Sequence, residues 1–299
     1  MLQEISPCGF ANLGNTCYMN SVIQSLLSST IFNTAIFMYI KEKTNSIDNC
    51  SVLLQEYLKI VCDLLFSNYN VYPPLSFKSA INKNIKQFKG KMQHDAHEFL
   101  SYLLNNIVDD TRDKELSNVI KNTFCGNYKV FRTCERCGIV KENIENFTEV
   151  LLPIPKNSNN PTLEDCFNDF ASCERINDNI ICEVCKKKSR IILKYQLNDI
   201  PSVLIIILKR FECQSMMTNI TKISTPVEIY EHIRLDGKRL KLISIVNHYG
   251  GVGGGHYVAH IERNNKWYKA NDSTISSVNI DSILNDPSNY ILVYQYHSE

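Results

Sequence analysis

The sequence predicts an α+β fold, in which a helical first part is followed by a strand-rich second part. Up to about residue 110, apolar residues recur at helical spacing in three segments. Beyond residue 124 the chain changes to short apolar runs separated by turn residues, which is typical of strands. Two CxxC pairs lie in this second part and indicate that a metal ion ties distant hairpins together.

Three helices are predicted in the first part. The first follows the loop NLGNT, and because its apolar residues lie on one face, Cys17 falls in its first turn. A second helix is predicted in VLLQEYLKIVCDLLF, after the polar loop 41–50, and a third starts in HDAHEFLSYLLNNIV. The apolar stripe of the first helix consists of Tyr18, Val22, Ile23, Leu26 and Leu27.

Strands are predicted through the second part. The stretches around the two CxxC pairs, NYKVFRTC, KENIENFTEVLLPIP and IICEVCKKKSRIILKYQL, have a hairpin-like pattern. The aliphatic density of SVLIIILKRF is that of a strand buried on both faces. Short strands separated by turns then predict an antiparallel sheet: RLKLISIVNHY, GHYVAHIER, KWYKAN and NYILVYQY.

The amino-acid composition is that of a globular protein. The chain has 299 residues, of which 44% are hydrophobic and 21% charged, as in ordinary globular proteins. It contains no internal repeat and no long linker, so we expect a single domain over residues 1–299.

The 32 basic and 31 acidic residues balance, which argues against nucleic acid or an anionic membrane as partner. MLQEISPCGF lacks the features of a secretory signal and VLIIIL is too short to span a bilayer, so we expect an intracellular protein, cytoplasmic or nuclear.

The two CxxC pairs predict a structural zinc site. In a reducing compartment such pairs bind metal more often than they form disulfides. The pairs are roughly 45 residues apart, so the site would join two hairpins. The predicted ligands are Cys134, Cys137, Cys182 and Cys185. Six further cysteines are expected to be small buried apolar residues: Cys50, Cys62, Cys125, Cys166, Cys173 and Cys213.

Cys17 itself has three readings: a packed core residue, a metal ligand or a nucleophile. The first turn of a helix favours negative charge, and therefore a thiolate, at this position. A nucleophile needs a base, and the base needs an orienting group. His256 follows a glycine-rich run at the start of a strand, and a short turn could bring Asn271 or Asp272 beside it. The alternative for His256 is a strand histidine bonded to backbone.

The motifs GFANLGNTCYMNS, GGHYVAHI and KWYKANDS resemble the cysteine and histidine boxes of the ubiquitin-specific proteases. The resemblance extends to QHDAHEFL at 93–100, both CxxC pairs, PSVLIIILKRF and the closing NYILVYQY. All of these occur in the family's order and cover residues 8–296. The ordered set is far more specific than a cysteine box alone.

The resemblance implies a papain-like cysteine protease core with three parts. A helical thumb would occupy about residues 1–120, zinc-stapled β fingers and part of the palm 121–213, and the C-terminal antiparallel sheet of the palm 214–299. Catalysis would occur where thumb and palm meet.

The resemblance also implies roles for individual residues. Cys17 matches the nucleophile, His256 the general base and Asn271 the third member, where the family uses Asn or Asp. Asp272 matches an acidic neighbour that can share the orienting role, and which of the two dominates stays open. Asn12 matches the amide of the oxyanion hole. Residues that would contact the substrate are Gln93, Asp95, Gly255 and Tyr257.

The expected function is therefore that of a deubiquitinating thiol protease, which cleaves after the C-terminal glycine of ubiquitin through a thioester. Zinc would be structural, and catalysis would need no cofactor. The expected partners are ubiquitin or polyubiquitin and ubiquitinated proteins, and we expect a monomer. Two other classes are an inactive ubiquitin-binding scaffold and a zinc-ribbon nucleic-acid adaptor. The first is disfavoured because Cys17, His256 and Asn12 are all present, and the second by the balanced charge.

Overall fold

The computed structural model describes residues 5–42, 47–213 and 220–297. The predicted α+β class is confirmed, with helices concentrated before residue 125 and strands after it. The helices are α1 (Cys17–Leu27), α2 (Thr30–Glu42), α3 (Val52–Phe66), α4 (Leu75–Asn84), α5 (Ala96–Asp109), α6 (Lys114–Phe124) and α7 (Leu163–Phe170). Two 3-10 turns lie at Ile47–Asn49 and Ile280–Ser282.

The strands form two main sheets and two short pairs. The first eight strands are β1 (Gly9–Phe10), β2 (Val71–Tyr72), β3 (Gly126–Cys134), β4 (Val140–Phe147), β5 (Val150–Leu152), β6 (Glu174–Ile181), β7 (Lys188–Asp199) and β8 (Val203–Leu208). The second eight are β9 (Phe211–Cys213), β10 (Ile220–Lys222), β11 (His232–Leu235), β12 (Lys238–Gly251), β13 (Gly254–Arg263), β14 (Lys266–Asn271), β15 (Thr274–Val278) and β16 (Asn289–Tyr296).

The central sheet has the strand order β15-β14-β13-β12-β16-β8-β5, and β11 pairs with β12. Its pairs are antiparallel except at the edge, where β5 runs parallel to β8. β8 is buried along its whole length, as its aliphatic sequence predicts, because side chains of both faces lie in apolar cores. One core lies between this sheet and the helices α1–α6, and the other on its opposite face under α7.

Helix α1 crosses the centre of the molecule and is buried on every side. Its polar face does not meet solvent but forms hydrogen bonds inside the protein. Ser25 Oγ lies 2.7 Å from Ser244 Oγ on β12, and Gln24 donates to the carbonyl of Cys8 over 2.6 Å. These bonds are needed because a buried polar group without a partner destabilises the fold. The helix packs against β12, β13 and β14, so Cys17 starts directly over the central sheet.

The second sheet, here called the knuckle sheet, has the order β4-β3-β7-β6 and is separate from the central sheet. Within this sheet, the ring of Tyr128 on β3 stacks on that of Phe147 on β4, with ring centroids 5.6 Å apart. Both CxxC pairs lie at the strand ends of this sheet, β3–β4 and β6–β7. The sheet therefore carries the four predicted ligands to one place.

The expected burial of the remaining cysteines is only partly correct. Cys50 and Cys166 are buried, but Cys125 is half-buried, and Cys62 and Cys173 are exposed. Cys62 faces outward because the buried stripe of α3 runs through its neighbours Ile60, Val61 and Leu64. The side chain of Cys213 lies outside the described residues.

Within the described ranges, no single helix is long and apolar enough to cross a membrane. α1 and α2 reach that length and hydropathy only when they are taken together, and they meet at a bend of 76°.

Candidate active site

The loop before Cys17 is folded by one asparagine side chain. Oδ1 of Asn12 accepts hydrogen bonds from the backbone N–H groups of Gly14 and Thr16, at 2.9 and 3.2 Å. Gly14 and Asn15 have φ of 101° and 53°, a backbone region that glycine and asparagine tolerate best. The chain therefore reverses tightly and enters α1 at Cys17. The first backbone N–H groups of that helix have no acceptor within it and remain available to an anion.

The thiol of Cys17 is only 3% exposed, and this burial raises its pKa above the ordinary value. The backbone of Tyr257, next to His256, partly opposes the rise in pKa, whereas the charge of Asp272 adds to it. The start of the helix thus does not by itself produce a thiolate, contrary to what the sequence suggests. A thiol with a raised pKa needs a base to become a nucleophile.

His256 and Asn271 lie side by side. The hairpin of β13 and β14 turns at Asn264 and Asn265, both at positive φ, and pairs Ala259 with Ala270. This register carries Asn271 to the imidazole, where its Oδ1 lies 2.6 Å from His256 Nε2. Because a carboxamide oxygen only accepts hydrogen bonds, Nε2 carries the proton and Nδ1 is the basic nitrogen.

No hydrogen bond joins the Cys17 thiol to the imidazole of His256 in the described part of the chain. Catalytic hydrogen bonds are often long before a substrate binds and tighten only in the complex. The sulfur does lie close to the backbone of Tyr257, the residue that follows His256, because that backbone group affects the pKa of the thiol.

Asp272 turns away from the imidazole and bonds to the other side of the site. Its Oδ2 accepts from Asn12 Nδ2 at 2.8 Å and its Oδ1 from Asn20 Nδ2 at 2.7 Å. Its backbone oxygen accepts from the N–H of Phe10 at 2.7 Å. Of the two candidates for orienting His256, Asn271 is thus the one in contact with it. The sequence analysis did not predict a role for Asn20, although its position one helical turn after Cys17 could have indicated one.

The four residues proposed to contact the substrate line one cleft of about 800 Å³ together with Cys17. Gln93 spans the cleft: its Nε2 donates to the Gly255 carbonyl at 3.0 Å, and its Oε1 accepts from the Gly255 N–H at 3.2 Å. A Cβ at Gly255 would lie 2.2 Å from Nε2 of His248, so only glycine fits there.

Asp95 already has a full set of partners within the protein. Its Oδ1 caps α5 by accepting from the N–H groups of His97 and Glu98. Its Oδ2 accepts from Tyr257 at 3.0 Å and from Tyr290 at 3.1 Å. This carboxylate therefore ties the start of α5 to β13 and β16, and so holds the two walls of the cleft together.

The two histidines of QHDAHEFL lie in different surroundings. His94 packs edge-on against the rings of Tyr18 and Phe88, and burial lowers its pKa. His97 instead lies 3.2 Å from Glu149 at the cleft wall. In the described residues, the group of side chains placed to hold a metal ion is the set of four cysteines on the knuckle sheet.

The four cysteine sulfurs lie within 4.8 Å of one another. Two similar turns produce this arrangement: the N–H of Gly138 donates to the Cys134 carbonyl at 2.9 Å, and the N–H of Lys186 to the Cys182 carbonyl at 2.8 Å. Gly138 and Lys186 have φ of 71° and 56°. Four thiolates around a tetrahedral zinc ion lie ~3.8 Å apart, from a Zn–S length of ~2.3 Å. The sulfurs of Cys137 and Cys182 lie 3.9 Å apart, so the four residues fit a metal ion.

The chain is similar in sequence and fold to several known proteins. Human ubiquitin carboxyl-terminal hydrolase 3 is 28% identical over 367 residues, which cover 98% of this chain and 68% of that protein. Usp2 of Drosophila melanogaster is 26% identical over 326 residues, and this chain spans about a third (34%) of its length. The solved SAGA DUB module Ubp8/Sgf11/Sus1/Sgf73 bound to monoubiquitin superimposes with a TM-score of 0.82 at 25% identity, covering 100% of this chain and 71% of that one.

The family model for ubiquitin carboxyl-terminal hydrolases matches residues 8–294, which is nearly the whole chain. The same span contains the cysteine loop, the cleft, the four-cysteine cluster and the hairpin of β13 and β14. The chain therefore belongs to the ubiquitin carboxyl-terminal hydrolase family.

Proposed function

We propose that Cys17 is the nucleophile with which this deubiquitinating thiol protease cleaves the peptide or isopeptide bond after the C-terminal glycine of ubiquitin. The observation that carries the proposal is the 2.6 Å bond between His256 and Asn271, beside a buried thiol at the start of α1. This arrangement supplies the base from β13, its orienting group from β14 and the nucleophile from α1.

The chemistry follows from the protonation states. His256 Nδ1 takes the proton of the Cys17 thiol as the sulfur attacks the carbonyl carbon of the last glycine. The resulting imidazolium gives this proton to the leaving lysine amine, and the C–N bond breaks to form a thioester. His256 then takes a proton from water, whose oxygen attacks the thioester and releases ubiquitin and the free thiol.

The oxyanion formed in both steps would be held by the backbone N–H of Cys17 and the side-chain amide of Asn12. Asn12 supports this role because one of its two N–H groups is bound to Asp272, which leaves the other for the substrate. Such donors act mainly in the transition state, and loss of one typically costs ~2.7–4 kcal/mol.

The substrate tail would enter along the free edge of β13. β14 pairs with β13 only from Ala259 onward, so near Gly255 the edge facing away from β12 has no strand partner in the described residues. In the free protein, the side chain of Gln93 forms hydrogen bonds with the backbone N–H and carbonyl of Gly255 at that edge. An extended tail could replace Gln93 there by pairing with the same backbone groups. Tyr257 and Asp95 would keep the walls of the cleft at a fixed separation for this tail, since their hydrogen bond joins the two walls.

We propose zinc as the ion of the four-cysteine cluster, where all four ligands are thiols and no position stays open for a reacting water. The ion would staple the hairpin ends of the knuckle sheet and take no part in catalysis.

The three-part division proposed from the sequence is compatible with this arrangement. α1–α6 would form the thumb, the knuckle sheet the fingers, and the central sheet the palm, to which β5 and β8 contribute from within 121–213. Ubiquitin or polyubiquitin on target proteins would be the partner, bound by a monomer. An intracellular location is proposed because paired CxxC motifs bind metal in a reducing compartment, and the sulfurs of the two pairs are placed to hold an ion.

The test is hydrolysis of ubiquitin carrying a C-terminal fluorophore by the wild type, Cys17→Ala and His256→Ala. Wild-type turnover with loss of at least a thousandfold in both variants supports the proposal. If Cys17→Ala turns over like the wild type, Cys17 is not the nucleophile. If no form is active while ubiquitin still binds, the chain is an inactive scaffold.

A further inference from the structure

Asn20 connects the helix of the nucleophile to the turn after β14. It lies on α1 one turn beyond Cys17 and is only 2% exposed. Its Nδ2 donates to Asp272 Oδ1 at 2.7 Å and to the carbonyl of Ala11 at 3.3 Å. Both N–H groups of this buried side chain are thus directed at the loop and the turn that flank the cleavage site.

Asp272 is held between two asparagines. One carboxylate oxygen accepts from Asn20 and the other from Asn12, over 2.7 and 2.8 Å. The carboxylate can rotate about its side-chain bonds unless both oxygens are fixed, so Asn20 determines where the oxygen facing Asn12 lies. Asp272 has φ of 47°, and its carbonyl is held by Phe10, which leaves its side chain as the movable part.

Asn12 is the end of this chain of bonds. Its Oδ1 is already fixed by the backbone of Gly14 and Thr16. Its Nδ2 has one hydrogen on Asp272, and the direction of the second hydrogen follows from the plane of the amide. A shift of the Asp272 carboxylate would therefore rotate the donor that faces the substrate.

We propose that Asn20 is a positioning residue for the oxyanion hole, which acts through Asp272 on Asn12. The inference rests on the proposed role of Asn12. A preorganised donor stabilises charge that appears only in the transition state. Loss of Asn20 then lowers the rate of the chemical step and leaves ground-state binding of ubiquitin unchanged.

The decisive variant is Asn20→Ala. With ubiquitin carrying a C-terminal fluorophore, kcat should fall at least tenfold and KM should stay within twofold. Ubiquitin aldehyde forms a hemithioacetal with Cys17 whose oxygen takes the place of the oxyanion, and its affinity should fall by a similar factor. Binding of unmodified ubiquitin, measured by calorimetry, should not change.

A double-mutant cycle separates positioning from a general structural effect. If Asn20 acts through Asn12, adding Asn20→Ala to Asn12→Ala should lower kcat by less than twofold further. If the two substitutions lower kcat multiplicatively, the proposal is overturned. It is also overturned if Asn20→Ala leaves the affinity for ubiquitin aldehyde unchanged.

Asn33 provides the matched control. It is also a buried asparagine near α1, but it donates to the carbonyls of Leu26, Leu27 and Ser29, away from the site. Asn33→Ala should lower the melting temperature and leave kcat of the folded enzyme unchanged. Should Asn20→Ala fail to fold, the isosteric Asn20→Asp replaces the donor by an acceptor and must show the same loss. Activity of the wild type against an inactive Cys17→Ala confirms the function independently of either result.

Discussion

Asn271 Oδ1 accepts a hydrogen bond from His256 Nε2 over 2.6 Å, while the adjacent Asp272 directs its carboxylate to Asn12 and Asn20. Two consecutive polar residues therefore serve two different parts of one site. Residues that follow one another in an extended chain point to opposite sides, and the positive φ of Asp272 increases this divergence.

Replacement of Asn271 tests its contact with the imidazole. In Asn271→Ala the ring loses its orienting acceptor, and we expect kcat to fall by ~10–100-fold with little change in KM. Asn271→Asp keeps an acceptor and stabilises imidazolium better than an amide does, so it should retain at least wild-type kcat. Steady-state kinetics with fluorogenic ubiquitin decide this, and full activity of Asn271→Ala would exclude the orienting role.

Replacement of Gln93 tests whether the substrate tail takes its place at Gly255. Two exposed hydrogen bonds must break before the tail can pair with β13, and we expect Gln93→Ala to lower KM by about threefold to tenfold. Its kcat should stay within twofold of the wild-type value. Gln93→Glu keeps the acceptor for the Gly255 N–H but loses the donor. Its KM should therefore lie between those of the wild type and Gln93→Ala. A higher KM in Gln93→Ala would instead identify Gln93 as a direct contact of the tail.

Removal of one knuckle ligand tests the metal. Cys182→Ser should reduce bound zinc from about one equivalent to near zero, because three thiolates no longer close the site. The melting temperature should fall by several degrees, since the ion joins hairpins distant in sequence. Cys173→Ser, a change at an exposed cysteine outside the cluster, should keep both the zinc content and the melting temperature. Equal zinc in the two variants, read by elemental analysis, would rule out the assignment.

The protonation state of Cys17 predicts how its reactivity depends on pH. Burial raises the pKa of the thiol, so in the free enzyme the thiolate fraction is small at pH 7 and grows about tenfold per pH unit. Alkylation of Cys17 by iodoacetamide, followed by mass spectrometry of its peptide, should accelerate about tenfold from pH 7 to pH 8. A rate that is constant between these values would show a preformed ion pair with His256.

Several elements could be predicted from local sequence because the signal is local. The run VLIIIL is apolar at every position and is buried at every position of β8. The helix at Cys17 follows from its apolar period and from the loop residues before it. The helices α2, α4, α6 and α7 were not predicted, although α2 is longer than α1 and α6 buries Leu116, Ile120 and Phe124 at helical spacing. The parallel pairing of β5 with β8 could not be predicted either, since the sequence of a strand does not specify which strand it pairs with.

The sequence by itself determined the family, the α+β class and the kinds of side chain that the site would contain, because these depend on residue identity and short-range order. Only the tertiary structure decided which side chains meet. Asn20 and Asp272 are 252 positions apart, and their contact follows from the packing of α1 over the central sheet. Burial of the Cys17 thiol was decided in the same way, because the solvent exposure of a group depends on everything packed around it and not on its neighbours along the chain.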